Sequence, residues 1–281
     1  MFRSGLLALL VATPALAQEK ASPGLDDLMH ARNVAMGGAY RSLGYGAEAV
    51  GGNPAAIAMF KRYQVEASGS WDPVSNFLVG SAAVADSASS DLATGLSYHV
   101  ITMGDGETRR TAHVNTLALA VAFGTYVSIG VAARNHIITG YNDTNSITMN
   151  AGIVVRPWEF LSLSVSGHNL IDNFNPDIQR FFSFAASGMI ARVFSPAFEL
   201  KADFNQPLPR FTVGAGAEFL LADNFPLRAG YSYDGPRDVH AISFGLGFFL
   251  EGSGVDLAYK HEINGPGRLL ALTIKYHVGP Q

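Results

Sequence analysis

Apolar and polar residues alternate along most of the chain from Arg62 onward. In FTVGAGAEFLL, residues 211–221, every odd-numbered position is apolar, and the even-numbered positions carry threonine, glycine, glutamate and one leucine. In VDLAYKHE, Val255 and Leu257 alternate with Asp256 in the same way. A β-strand sends successive side chains to opposite faces. Each segment therefore has one apolar face and one face of polar or small residues.

About fourteen segments of about ten residues show this period. The connections between them alternate in length: MGDGETR is followed by a turn around Gly124, and ITGYNDTN is followed by the turn PW. Short turns at one end and longer loops at the other are typical of an up-and-down barrel in an outer membrane. The predicted strands are residues 62–71, 75–85, 91–102, 111–123, 125–136, 146–156, 159–168, 180–192, 197–205, 209–221, 226–233, 238–250, 254–262 and 268–278.

Two all-β architectures fit this alternation. A soluble sandwich or barrel buries its apolar face, whereas a membrane barrel turns that face toward lipid and its polar face toward the lumen. Segments of nine to eleven tilted residues match the thickness of the hydrocarbon layer, and glycine, alanine and serine would cover a soluble surface poorly. We therefore predict an all-β fold: a closed antiparallel transmembrane β-barrel of about fourteen strands, residues 62–281, with both termini on the periplasmic side.

The first seventeen residues have the pattern of a secretory signal peptide. Arg3 precedes the apolar run Leu6–Leu16, which is too short to span a bilayer as a helix. Ala15-Leu16-Ala17 is a small-residue cleavage motif, so cleavage is predicted after Ala17. The alternative, a retained N-terminal anchor, would need a basic flank that is absent after the run. We predict export to the bacterial outer membrane.

Composition and charge exclude several function classes. Charged residues make up 15% of the chain, against about 25% in soluble domains. The net charge of -4 gives no basic surface for nucleic acid. The chain has no cysteine, no nucleophile elbow and no His-x-x-x-His spacing, so no catalytic residue, metal site or cofactor is predicted and the protein is not expected to be an enzyme.

Residues 18–61 do not alternate and are predicted to fill the lumen as a plug. A fourteen-stranded barrel is wider than one that wall side chains alone can fill. The segment is predicted to be partly helical, with a helix near residues 26–32, a helical turn at 47–50, and Asn53 as N-cap before Pro54. The residues predicted to form the hatch and its gate are Met36, Gly37, Gly38, Asn53, Pro54 and Ala55.

The stretch ARNVAMGGAYRSLGYGAEAVGGNPAAIA, residues 31–58, resembles the N-terminal hatch of the FadL-type outer-membrane transporters. It is more similar still to the hatch of the PorV/PorQ-like barrels, which carries AMGGA and NPA motifs. Gly46 departs from that pattern, where the family often has aspartate. The resemblance implies a fourteen-stranded barrel with the hatch inside, in agreement with the strand count.

Charged residues of both signs fall on the face opposite the apolar one. They are expected either to pair between wall and hatch or to line a polar translocation path; a buried pair needs further hydrogen bonds to offset its desolvation. The predicted lumen-facing charged residues are Glu66, Arg134, Arg156, Glu199, Lys201, Asp203, Glu218, Arg228, Asp256, Lys260, Glu262 and Lys275.

Two functions remain open from the sequence. The first is a plugged barrel that passes small hydrophobic molecules through the outer membrane. The second is a non-transporting scaffold or accessory barrel of an envelope-spanning secretion or gliding-motility machine, with periplasmic or surface proteins as partners. Loops of at most about nine residues and the PorV/PorQ-like hatch favour the second, whereas the FadL-type fold favours the first.

Overall fold

The computed structural model is a closed antiparallel β-barrel of fourteen strands. It describes residues 30–140, 143–171, 178–203 and 210–279. The first strand pairs with the last, from Tyr63 opposite Val278 to Trp71 opposite Leu270, so the sheet has no free edge. Closure pairs backbone groups that lipid cannot hydrogen-bond. The predicted fold class is confirmed.

Each strand pairs with its neighbours in sequence. The strands are β1 (Tyr63–Asp72), β2 (Phe77–Asp86), β3 (Leu92–Met103), β4 (Arg110–Phe123), β5 (Val127–Gly140), β6 (Thr144–Trp158), β7 (Leu161–His168), β8 (Phe181–Gly188), β9 (Phe194–Asp203), β10 (Arg210–Leu221), β11 (Phe225–Asp234), β12 (Val239–Leu250), β13 (Ser253–Glu262) and β14 (Arg268–Val278). The helical elements are α1 (Ala31–Ala35), α2 (Ala47–Gly51) and the 3₁₀ helices Pro54–Met59 and Gly106–Thr108. None of the helices in the described ranges is long and apolar enough to span a membrane.

The hairpin between β8 and β9 differs from the sequence prediction. The predicted strand 180–192 ends at Gly188, and the chain turns at residues 189–193 instead of at FSP. Ala191 and Arg192 adopt left-handed backbone conformations, with φ of 50° and 61°, which close a tight turn. The connection between β7 and β8, residues 169–180, is also longer than the nine residues expected.

The two faces of the wall have opposite chemistry. Leu117, Phe244 and Ile274 are 48%, 55% and 55% exposed on the outside, whereas Glu66 and Asp256 are buried on the inside. Because an apolar outer wall is stable only against lipid, the barrel is of the membrane type and its strands are the membrane-spanning segments.

Residues 30–60, here called the inner segment, lie against the inner wall. All but the last few of these residues are buried or nearly so. Its 3₁₀ helix packs near Ala118, Ala120 and Ala132 of the wall. The observed helix α1 spans Ala31–Ala35; residues 1–29, including most of the helix predicted near residues 26–32 and the predicted signal peptide, lie outside the described residues.

Candidate functional site

The candidate site is the lumen at the level where the inner segment crosses it. The strands place inward-facing residues at every second position, so the wall offers rows of side chains to the segment. The segment contacts strands around most of the barrel, from β1 through β6 and from β11 through β14. Its contacts with the wall decide whether the lumen is closed.

Six charged side chains form a closed ring between the inner segment and the wall. On the wall, Arg228 pairs with Glu218 and Asp256 at 2.6 Å each, and Lys275 pairs with Asp256 at 2.8 Å. Together with Arg32 and Glu48 of the inner segment, these residues make a ring in which three cations alternate with three carboxylates. Four of the six residues were predicted to face the lumen from the sequence, and the structure brings all four together.

The inner segment contributes the other two charges of the ring. Arg32 pairs with Glu218 at 3.1 Å and with Glu48 at 3.4 Å, and Lys275 closes the ring on Glu48 at 3.3 Å. Burial favours the protonated form of Glu48, but Lys275 and Arg32 outweigh it and hold the pKa of that carboxyl below its ordinary 4.5. Glu48 is therefore an anion in the ring.

A second anchor holds the segment at Arg41, outside the ring. The Arg41 guanidinium pairs with Glu199, whose other oxygen accepts the backbone N–H groups of Tyr40 and Arg41 at 3.2 Å each. Ser183 donates to the same carboxylate at 3.1 Å. A buried carboxylate with several donors is the arrangement that offsets its desolvation.

A third anchor lies where the described segment begins. His30 pairs with Glu66, which also accepts a hydrogen bond from Gln64 at 3.3 Å. Burial lowers the pKa of His30, but the Glu66 carboxylate raises it by more, so the pKa lies above its ordinary 6.5. Further along the segment, Arg134 donates to the carbonyl oxygen of Gly51 at 2.8 Å, at the C-terminus of α2.

The bend at Met36, Gly37 and Gly38 lies directly on the wall. Met36 is fully buried, and the two glycines have φ of 65° and 87°, in the left-handed region. A methyl group placed on Gly216 of β10 would lie 2.5 Å from the Met36 carbonyl oxygen. Backbone meets backbone here, so the wall tolerates no side chain at this contact.

The turn at Asn53, Pro54 and Ala55 forms a second close contact. The Asn53 side chain accepts the Ala55 N–H at 3.1 Å, and Pro54 occupies the first turn of the 3₁₀ helix, as the sequence indicated. Ser128 donates to the Ala55 carbonyl oxygen. A methyl group on Gly130 would lie 2.5 Å from the Ala55 nitrogen.

The remaining predicted lumenal charges lie away from the ring. Glu262 pairs with Arg237 at 2.8 Å near the loop end, and Arg156 donates to the Glu159 carbonyl oxygen at 2.9 Å near the turn end. Asp203 ends β9. A narrow cavity of ≈ 50 Å³ beside the Gly37–Gly38 bend is lined by Lys201, Lys260, Glu199, Asp234 and Arg237, among others. It is far smaller than the 300–1,000 Å³ of ligand pockets.

At the end of the barrel that carries the longer loops, part of the lumen lining is apolar. Its members come from β2, β3, β4, β5, β13, β14 and the β7–β8 connection, and they meet α1 below. This loop-side apolar cluster comprises Ala31, Val34, Ala35, Phe77, Val79, Ile101, Met103, Ala112, Val114, Ile138, Ile178, Ala258, Leu269 and Ala271. It was not predicted, although Phe77, Val79, Ile101 and Met103 break the polar parity of their strands and could have indicated it.

Sequence reasoning also missed Glu48 and His30 as partners of the wall. Glu48 could have been found from charge balance, because it is the only acidic residue between Asp27 and Arg62 and Arg32 lies in the same stretch. His30 gives no such signal. Its contact depends on the path of the segment, which no periodicity encodes.

Neither a family model nor a curated protein matches the sequence. Among solved structures, the Pseudomonas putida toluene transporter TodX aligns with a TM-score of 0.66 and 10% identity over 88% of this chain and 96% of its own. The Ralstonia pickettii toluene transporter TbuX aligns with a TM-score of 0.67 and 10% identity over 90% and 98%.

A FadL homologue from Pseudomonas aeruginosa aligns with a TM-score of 0.65 and 13% identity, over 88% of this chain and 98% of its own. At these identities the likeness establishes the fold. TodX and TbuX are described as toluene transporters. The chain has the fold of the FadL-type bacterial outer-membrane barrels.

Proposed function

We propose that this barrel passes small hydrophobic molecules across the outer membrane, and that the inner segment closes the lumen in the state described. The loop-side apolar cluster carries the proposal. An aqueous pore lines its lumen with polar groups, whereas the side chains of Phe77, Ile101 and Ile138 form a buried apolar layer inside this barrel. When the inner segment withdraws, this layer becomes a surface for apolar molecules that enter from the loop side.

Passage requires the inner segment to move. The segment is buried against the wall, and the small cavity beside its bend admits only water. Residues 18–61 are therefore proposed as the hatch, with Met36–Gly38 and Asn53–Ala55 as its two close contacts. The described function of TodX and TbuX as toluene transporters supports a small apolar substrate.

The test measures initial uptake of radiolabelled toluene by cells that express the full-length protein, compared with cells carrying an empty vector. Ile138→Asn places a polar amide in the loop-side apolar cluster and should lower the uptake rate several-fold. Ile138→Leu keeps the apolar surface and is the matched control.

The proposal would be rejected if cells that express the protein took up toluene no faster than the empty-vector cells, and if the same held for a long-chain hydrocarbon probe. In that case stable co-purification of a periplasmic or surface protein would favour the accessory role. Equal uptake by the two Ile138 variants would remove the cluster from the path while leaving transport in place.

A further inference from the structure

Two imidazoles line the lumen directly below the loop-side apolar cluster. In the strand register, Ile101 and Ile138 belong to one cross-strand row of β3, β4 and β5, and His99 and His136 belong to the next row away from the loops. Val114 of β4 lies between the two histidines. Inward positions recur at every second residue, so the row of His99 and His136, here called the imidazole row, lies about 7 Å along the strands from the apolar row.

Both imidazoles are buried without a hydrogen-bond partner. His99 is 1% exposed and His136 is 0% exposed. Neither nitrogen of either ring is hydrogen-bonded to any residue that the structure describes. Buried polar groups in folded proteins are almost always paired. Two unpaired imidazoles in one row are therefore a cost that the fold does not require, and a binding function accounts for them.

Hydroxyl groups beside the imidazoles are unpaired as well. Ser97 lies opposite Thr116 one row further from the loops, and Ser146 lies opposite His136. The side-chain oxygens of all three are buried and have no hydrogen-bond partner among the described residues. No described carboxylate is hydrogen-bonded to His99 or His136, so nothing there would compensate a buried imidazolium and both rings are neutral. Each neutral ring offers one donor and one acceptor.

We propose that the imidazole row binds the hydroxyl group of a transported molecule while the loop-side apolar cluster takes its hydrocarbon part. This inference rests on the function proposed above and names its substrate class as small neutral molecules with a hydroxyl on an apolar body, such as phenols. A hydroxyl donates one hydrogen bond and accepts others, so it can donate to one ring and accept from the other. A carboxylate only accepts, and it would leave the ring acceptors unpaired.

The spacing of the row suits one such group. The Cα atoms of His99 and His136 are two strands apart, about 10 Å at about 4.8 Å per strand, so both side chains can reach the same oxygen atom. In the state described, the inner segment covers the row. The His30 ring packs edge-on against His99 with centroids 5.9 Å apart, and Ala31 lies in the same apolar cluster as Val114. Withdrawal of the segment therefore uncovers the apolar surface and the imidazoles together.

The experiment measures initial uptake of radiolabelled toluene and of p-cresol, which differ by one hydroxyl, in porin-deficient cells that express the full-length protein. Rates are taken where they are proportional to concentration, and empty-vector rates are subtracted. His99→Leu and His136→Leu remove the pairing groups, and His136→Gln keeps a donor and an acceptor. His113→Leu removes a histidine that bonds Tyr98 on the outer wall and is the matched control. Heat-modifiable gel mobility verifies folding of each variant.

The expected result is a ratio of p-cresol to toluene uptake that falls roughly two- to tenfold in both leucine variants of the imidazole row, the loss of one net hydrogen bond. Toluene uptake should not fall. His136→Gln should keep most of the wild-type ratio, and His113→Leu should keep all of it.

Equal ratios in all five proteins would overturn the inference, while toluene uptake above the empty-vector rate would still support the proposed function. Uptake of neither compound by the wild type would reject both. Faster uptake of p-toluate than of p-cresol would overturn the hydroxyl assignment in favour of an anion. A lower unfolding temperature for His136→Leu than for His136→Gln would show that the imidazole only holds ordered water in the fold, and it would also overturn the inference.

Discussion

Neutralising Glu48 should release the inner segment from the wall. In Glu48→Gln the ring keeps Arg32, Arg228 and Lys275 but only two carboxylates, so a buried positive charge is left without a counter-charge. Glu48 lies 3.3 Å from Lys275 and 3.4 Å from Arg32. At these distances and an effective dielectric constant of about 20, each attraction is worth roughly 5 kcal/mol before desolvation is subtracted.

Desolvation offsets a large part of that attraction, and loss of one partner from a buried ion pair costs about 3–5 kcal/mol. Since 1.4 kcal/mol is a factor of ten, the population of the displaced segment should rise roughly 140- to 3,700-fold. The chain has no cysteine, so a single Ser42→Cys reports this population. Ser42 is 8% exposed, and its thiol should react with a maleimide only when the segment leaves the wall.

The assay compares the labelling rate of Ser42→Cys with and without Glu48→Gln in the folded barrel. The exposed loop variant Ser75→Cys is the control, and its rate should not change. Glu48→Gln combined with Lys275→Gln restores charge balance and should recover part of the slow rate, with a coupling of about 1–3 kcal/mol. A Ser42→Cys rate that Glu48→Gln leaves unaltered would refute the role of the ring.

Three further predictions follow from the contacts of the segment. Gly130→Ala should weaken the closed state by about 1–3 kcal/mol, because the added methyl group would collide with the backbone of the inner segment. The control Gly69→Ala lies on the outer wall, where the nearest atom to the added methyl group is at 3.8 Å, and it should be neutral. The maleimide labelling rate of Ser42→Cys distinguishes the two variants. Asn53→Ala should cost about 1 kcal/mol through loss of the cap, measured by the same labelling. His30 has a raised pKa, so its pairing with Glu66 contributes fully below pH 6.5 and is lost as pH rises through the higher folded value. Opening of the segment should therefore increase on the alkaline side, and a His30→Gln variant that keeps the same pH profile would contradict this.

The alternation of apolar and polar residues was sufficient to predict the strands of the barrel wall, because the alternation of each strand can be recognised from its own sequence alone. Each strand between lipid and lumen must alternate, so the predicted and observed strands agree to within a few residues along most of the barrel. The β8–β9 hairpin was misplaced because its turn uses Ala191 and Arg192 in left-handed conformations instead of a glycine or proline signal. Apolar residues such as Val193 then extend the strand pattern into the turn.

The charge partners could not be predicted, for a different reason. The side on which Glu218 or Lys275 points follows from strand parity, but the partner of each depends on the path of a segment with no period. Glycine and alanine on the inner wall and on the segment leave room for that path. They do not define it, because such small side chains provide little shape complementarity. Glu48, Arg32 and His30 supply the specificity that packing lacks.

The charge balance of the ring is compatible with movement of the inner segment. The wall contributes Glu218, Arg228, Asp256 and Lys275, which sum to zero, and the segment contributes Arg32 and Glu48, which also sum to zero. When the segment leaves, the wall keeps its ring contacts of 2.6, 2.6 and 2.8 Å, and neither half of the ring carries a net charge. The contacts that separate are Arg32–Glu218 at 3.1 Å and Lys275–Glu48 at 3.3 Å, whereas the Arg32–Glu48 contact of 3.4 Å stays within the segment. The ring therefore divides into two neutral parts on opening, and the cost of a bare lumenal carboxylate falls on the separate pairs of Arg41 with Glu199 and of His30 with Glu66.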